Sequence, residues 1–403
     1  MALVLPDGAH AMPWQFRGMA YFLAFRDYDH GRVVEDLREI RELGCNWVSL
    51  DLALTMDTAT AADVYLPYAR EDQTHPTLPQ RHEPDLWHHF PSDQEIRHFV
   101  DTAHEQGLSV MLKPHVHPKD SGLRLRAKDG SLADPMLPAC VHPDDVDAWF
   151  LGYRRILLHY ADTFDVDAVC VGNELSGLYG YDDHWRSLVA ELRSVTDAQI
   201  TCAFNWHVAL HHERRLLLRV IRLLRLEDNL LRHMLRQQGR DVVFAEGAER
   251  RIARSTFSEY PTWCDALDFV GINFYFPLSA ERDPSLGVLR EAWSGYRIPT
   301  PLGSLQARYV EALTSWAESV GKPLLFTEGG WGKWNYAAKF PADWYASTRG
   351  ANPELQARCY EAFFLEAAPA SVGMFFWDWV EKGYSPQRGP AEDIVREHFA
   401  SEQ

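Results

Sequence analysis

The chain lacks any run of 18 apolar residues, so no membrane-spanning helix is expected. Its first 15 residues contain no basic segment leading into an apolar one, so no secretory signal is expected. Cysteine is sparse, with six in 403 residues and none in a CxxC pair, which argues against a zinc ribbon or a thioredoxin-like redox motif. Cys45, Cys170 and Cys202 lie in or beside apolar runs, where a thiol acts as a small hydrophobe. All six are expected to be free, in a reducing, cytoplasmic compartment. Positive charge is also short. Lys and Arg number 40 against 57 Asp and Glu, a formal net charge of −17. Such a chain repels phosphate backbones and anionic lipid, so neither nucleic acid nor a membrane is an expected partner. No internal repeat or low-complexity linker divides it, and residues 1–403 are expected to form one domain.

The chain does contain a soluble-globular balance of 46% hydrophobic and 24% charged residues, with 14 Trp. Indole faces fill cores, and they also stack on the apolar C–H faces of sugars. Eight short apolar runs recur, separated by loops and helical patterns: Phe16–Phe25, Cys45–Leu52, Leu108–Val116, Ala168–Leu175, Ile200–Trp206, Phe269–Phe276, Pro323–Thr327 and Val372–Trp379. The spacing between them predicts helices over Arg32–Leu43, Asp144–Phe164, Asp183–Val195, Ser304–Val320 and Pro353–Ala367. Another opens at Ser92, with Glu95 completing a capping box. Eight strands interleaved with helices predict an α/β fold: a single TIM (β/α)8 barrel.

One stretch exceeds a minimal barrel, a helical insertion at about 208–258 between strands 5 and 6. Within it, Glu213–Gln237 reads as an amphipathic basic helix, with Arg215, Arg219, Arg222, Arg225, Arg232 and Arg236 at helical spacing. A solvated, salt-bridged face is the plain reading. A homo-oligomer interface, a lid over the catalytic face, or a surface for an anionic ligand or membrane are the others.

Barrel chemistry sits at the C-terminal strand ends. Asn173-Glu174 ends the fourth run and Glu328 follows the seventh, so two carboxylates project toward one cleft. Retaining glycoside hydrolysis needs such a pair about 5–5.5 Å apart. Glu328 is expected to be the ionised nucleophile, receiving a hydrogen bond from Tyr275. Glu174 is expected to be the acid/base, kept protonated by the Glu328 charge and by desolvation. Asn173 is expected to bond the sugar hydroxyl beside the reacting carbon. Lys113 and His115 are candidates for other hydroxyls, and Trp206, Trp331, Trp377 and Trp379 for stacking on sugar rings. Strand alternation puts Trp377 and Trp379 on one face and Asp378 on the other. Asp378, Trp47 and Asp51 are expected to be structural. No cofactor is implied, because two carboxylates suffice.

These residues resemble clan A of the glycoside hydrolases, barrels with catalytic Glu on strands four and seven, and most closely family 113, the β-mannanase family. The matching stretches are Arg17-Gly18-Met19, Met111-Leu112-Lys113-Pro114-His115, Val171-Gly172-Asn173-Glu174-Leu175, Phe326-Thr327-Glu328 with Gly330-Trp331, Gly383-Tyr384-Ser385-Pro386 and Pro390-Ala391-Glu392. The resemblance implies a retaining β-glycoside hydrolase of β-mannan-type oligosaccharides, with Glu174 as acid/base and Glu328 as nucleophile. In a reducing compartment its substrates are oligosaccharides rather than intact polysaccharide. Gly329 departs from the branched apolar residue usual there. Gly271-Ile272-Asn273-Phe274-Tyr275 is also similar to the β-glucosidase-like family 1, which keeps an exo-acting β-glucosidase or β-mannosidase, or a transglycosylase, as alternatives. Two readings lie outside this class. His115 and His117, at i and i+2 with His207, suggest a metal-dependent hydrolase. The barrel also suits a non-catalytic glycan-binding protein.

Overall fold

The computed structural model describes residues 14–23, 28–86, 88–126, 132–133, 138–208, 242–245, 247–256, 261–300, 303–342 and 349–400. Eight parallel strands close into a barrel: β1 (Phe16–Phe22), β2 (Trp47–Thr58), β3 (Ser109–Asp120), β4 (Ala168–Asn173), β5 (Gln199–Asn205), β6 (Val270–Asn273), β7 (Leu324–Glu328) and β8 (Gly373–Phe376). Around the ring they come in chain order, β8 closing against β1. The expected TIM barrel is present.

The barrel has two apolar layers, because successive strand residues point to opposite faces. Inside, Phe16, Trp47, Met111, Cys170, Phe269 and Phe375 belong to a buried cluster that fills the floor. Trp47 is therefore structural, as expected. Outside, the other strand faces pack against the helices. Those are α1 (His30–Glu42), α2 (Asp93–Glu105), α3 (Val146–Thr163), α4 (Asp182–Val195), α5 (Ala248–Thr256), α6 (Leu286–Gly295), α7 (Tyr309–Val320), α8 (Pro353–Glu366) and α9 (Pro390–Ala400). Local chemistry sets their starts. Asp29 caps α1 through Arg32 N, and Ser92 and Glu95 form the expected box at α2. Asn352 caps α8, with Pro353 in its first turn. All six cysteines are buried and free. Among the described residues, no helix is long and apolar enough to cross a membrane.

Three expectations shift. Strands β2 and β3 run past Leu52 and Val116, staying paired from Trp47↔Ser109 to Thr58↔Asp120. Pro114 and Pro118 are tolerated in β3 because its pairing with β4 covers only Met111 and Leu112, leaving an open edge beyond. The helix expected from Ser304 begins at Tyr309, since Gly303–Ala307 pairs antiparallel with Tyr296–Thr300. Strand β8 ends at Phe376, three residues earlier than expected, which changes the placing of the tryptophans after it.

Of the insertion, Val242–Phe244 pairs antiparallel with Leu123–Leu125, and α5 comes next. The arginine-rich helix expected over Glu213–Gln237 lies outside the described residues.

Candidate active site

Two irregularities bring the key side chains to the barrel mouth. The β4–β5 register shifts between Cys170 and Asn173, and the β6–β7 register between Ile272 and Asn273. A bulge adds a residue to one strand and re-aims the side chains beyond it. Glu174, just past β4, has a φ of 56°, a left-handed conformation that costs a non-glycine residue about 1 kcal/mol. Its N–H donates to Ala203 O at 2.9 Å, tying the strained residue to β5.

Asn273, at the end of β6, joins the two carboxylates. Its Nδ2 lies 3.1 Å from Glu174 Oε1 and 3.3 Å from Glu328 Oε2. Those two oxygens are therefore at most about 6.4 Å apart, the two distances laid end to end. The same nitrogen donates to Asn173 Oδ1 at 2.9 Å, and Thr327 Oγ1 donates to Asn273 Oδ1 at 3.1 Å, which fixes the amide orientation.

The two carboxylates have opposite surroundings. Lys113 Nζ sits 2.5 Å from Glu328 Oε2, and the Tyr275 hydroxyl donates to Glu328 Oε1 at 2.6 Å. Among the described residues, Glu174 has no ion-pair partner of its own. Burial, and then the Glu328 charge, push its pKa up to about 7, against weaker opposing effects of Asn273 and Lys113. Both causes are expected from the sequence, but with the charge first; in the structure burial ranks ahead of it.

Lys113 is wholly buried, which opposes its charge, yet the carboxylates of Asp51 and Glu328 raise its pKa. Asp51 Oδ2 lies 3.3 Å from Nζ. Asp51 is itself buried, and loss of solvation lifts it to about 6 despite Lys113 and a hydrogen bond from Ser49. His115 is pushed down to about 3 by burial and by Lys113, so it is neutral. Asn173 Nδ2 is 3.0 Å from His115 Nδ1, which leaves the ring proton on Nε2, 3.3 Å from Asp51 Oδ2.

Of the candidates from sequence, Glu174, Glu328, Asn173, Tyr275, Lys113 and His115 come together. Trp377 joins them: its ring lies 5.5 Å from Lys113 Nζ and 5.5 Å from the His115 ring. Trp206, just past β5, is half-buried against Phe276. Trp331 does not reach the cleft. It is fully buried among Phe274, Tyr360 and Phe363, between β7 and α8. Trp379 also turns away, its Nε1 donating to Asp36 of α1 at 3.3 Å. The expected alternation of Trp377 and Trp379 fails because β8 has ended before them, so the two-residue period no longer applies. Asp378 is structural as expected, accepting from Glu381 N at 2.6 Å.

Two members of the cluster escape a reading by sequence. Asp51 reads there as structural, and Asn273 only as part of a motif. An acidic residue inside an apolar strand run, and an Asn at a strand's C-terminal end, are the available signals. Gly329 also has a cause: a Cβ there would meet Phe274 Cγ at 2.5 Å.

Histidine does not assemble as a metal-dependent hydrolase requires. His117 stacks on His115 with ring centroids 5.9 Å apart, but among the described residues the ligand-type group at the mouth is Asp51, His115 and Glu328. Lys113 already bonds both of those carboxylates, so an ammonium supplies the positive charge there.

Comparison with known proteins bears on the family and the fold. The Glycoside Hydrolase Family 113 profile matches residues 19–208 and 254–395. The fold is similar to that of a family 113 β-mannanase from Alicyclobacillus acidocaldarius, with 20% identity and a TM-score of 0.61 over 98% of this chain and 100% of that one. A second family 113 β-1,4-mannanase superposes with a TM-score of 0.63 at 20% identity, over 97% of this chain and 100% of the other. None of the curated proteins matches the sequence.

Proposed function

Since this chain belongs to glycoside hydrolase family 113, we propose that it is a retaining β-glycosidase of β-mannan-type oligosaccharides, with Glu328 as nucleophile and Glu174 as acid/base. The observation that carries this reading is the pair of carboxylates bridged by Asn273 Nδ2, one beside a buried ammonium and a phenol, the other with its pKa raised to about 7. Both carboxylates lie within hydrogen-bond reach of one amide nitrogen, a closeness that supports retention, in which the two groups stand near each other.

In the first step Glu328 attacks the anomeric carbon. The glycosidic bond breaks, and Glu174 gives its proton to the leaving oxygen. Esterification removes the Glu328 charge that helped hold the Glu174 proton. Glu174, now ionised, takes a proton from water, and the hydroxide attacks the same carbon. The ester bond breaks and both residues return to their starting states. Lys113 and Tyr275 bond the carboxylate before attack and after release. Asp51 keeps Lys113 partnered while Glu328 is an ester. Asn173, held by Asn273 and His115, faces the sugar hydroxyl beside the reacting carbon, and Trp377 and Trp206 offer stacking faces.

The mannan assignment rests on the family and on the β-mannanases of similar fold. Exo-action on β-glucosides or β-mannosides, and transglycosylation, are the alternatives. Manno- and cello-oligosaccharides with a para-nitrophenyl β-glycoside panel, products resolved by size, separate them. Glu328→Ala is expected to abolish turnover. Glu174→Ala is expected to spare substrates with good leaving groups, which need little protonation. Full turnover of an aryl glycoside by Glu328→Ala overturns the reading, as does sugar binding by the wild type with no release of any aglycone.

A further inference from the structure

Away from the barrel mouth, three metal-ligand side chains from three chain segments meet. His75 lies in the long loop after β2, Asp93 is the first residue of α2, and His159 lies in the last turns of α3. Each offers a ligand atom, and these atoms all lie within 4.8 Å of one another. His159 Nε2 is 3.6 Å from Asp93 Oδ2, and the atom is buried with no hydrogen-bond partner. The two imidazole rings stand edge-on with centroids 4.3 Å apart.

The surrounding contacts orient the ligands. His159 Nδ1 is 3.4 Å from Thr163 Oγ1, and His75 Nδ1 is 3.3 Å from Thr77 Oγ1. The Thr163 hydroxyl can take the His159 Nδ1 proton, which leaves that ring's Nε2 lone pair for a cation, whereas His75 Nδ1 accepts from Thr77 N–H at 3.3 Å, so the proton on its Nε2 leaves when a cation binds there. Metal-bound histidines are held in this way by a partner on the other ring nitrogen.

We propose that His75, Asp93 and His159 form a binding site for a divalent late-transition cation, zinc above all, that clips the β2–α2 loop to α2 and α3. Two imidazoles and one carboxylate suit zinc, whereas calcium and magnesium favour all-oxygen sets. The three residues are all partly exposed, so water completes the coordination. Ligands at about 2.1 Å from zinc stand about 3.5 Å apart in a tetrahedron, so the ion draws the loop inward by about an ångström. The clip bears on the active site through one contact chain. The same loop carries His88, whose ring lies 5.3 Å from that of His117, which in turn stacks on His115 at the barrel mouth.

The test uses the untagged full chain, stripped with chelator and dialysed. Titration with zinc chloride by calorimetry is expected to give one site per chain, and thermal unfolding in zinc is expected to move to higher temperature. Cobalt(II) is expected to give the visible absorption of a low-coordinate imidazole site. His75→Ala with His159→Gln removes two ligands near the surface and is expected to abolish zinc binding and the cobalt spectrum. Turnover of metal-free enzyme is expected to persist in both proteins. Absence of zinc binding by the wild type overturns the proposal. So does undiminished binding by the double variant, and zinc that persists there and blocks turnover is bound instead at Asp51, His115 and Glu328.

Discussion

Replacing Lys113 with Met tests the electrostatic core of the proposed mechanism. Methionine keeps an unbranched chain of similar length and removes the ammonium. That ammonium bonds Glu328 at 2.5 Å and Asp51 at 3.3 Å, and it is fully buried. Two unit charges 4 Å apart interact by about 4 kcal/mol at an effective dielectric of about 20. The contact here is closer, but water entering the variant offsets part of the loss, so about 3 kcal/mol is a fair figure. Without the ammonium the buried carboxylates of Asp51 and Glu328 are left uncompensated, and about 3 kcal/mol corresponds to about 100-fold at about 1.4 kcal/mol per factor of ten. The assay is kcat/KM on an activated aryl β-glycoside, because such a substrate depends little on Glu174. It is expected to fall by about 100-fold, and at least about tenfold. Adding Asp51→Asn to the variant removes the second uncompensated carboxylate and is expected to recover part of the loss, a coupling a double-mutant cycle measures. A kcat/KM within about twofold of wild type would refute the reasoning, since two buried carboxylates cannot work unchanged after losing the ammonium bonded to both.

Glu174 predicts the basic limb. Its pKa is raised and its protonated form is needed, so activity on unactivated substrates is present below about pH 7 and lost as pH rises through that value. Glu174→Gln should remove most turnover of unactivated substrates while largely sparing kcat/KM on activated ones. Tyr275→Phe removes the 2.6 Å donor to Glu328 Oε1, a charge-assisted bond that contributes about 1.5–3 kcal/mol. It should lower kcat/KM by about tenfold, and an unchanged kcat/KM would show that the phenol does not hold the nucleophile. Gly271→Ala should lower stability by about 1–3 kcal/mol and the melting temperature by a few degrees. Its Cβ would press on Cys202 O, on Thr327 Cγ2 at 2.5 Å and on Thr201 Oγ1 at 2.9 Å. An unchanged thermal transition would mean that β5, β6 and β7 have slack there.

Much of this protein is legible in one dimension because the information is local. Apolar runs of strand length alternating with helical periodicity specify a barrel. Strand-end position then selects Glu174 and Glu328 from among 57 acidic residues. The Ser92–Glu95 cap and the free cysteines are equally local. The failures share a cause. Trp379 and Trp331 sit beyond the ends of β8 and β7, where strand position and alternation no longer say which way a side chain points. Where β8 ends depends on its pairing with β1 and β7 rather than on its own residues.

The sequence alone determined the architecture and pointed to the two candidate carboxylates, since both readings follow from periodicity and position along the chain. Only the tertiary structure decided what surrounds them. Asp51, Lys113, Asn273 and Glu328 come from four different strands, and no spacing rule links them. Burial sets the cost of each charge, and the neighbours across the ring set which charges are retained. Neither quantity exists before the barrel closes.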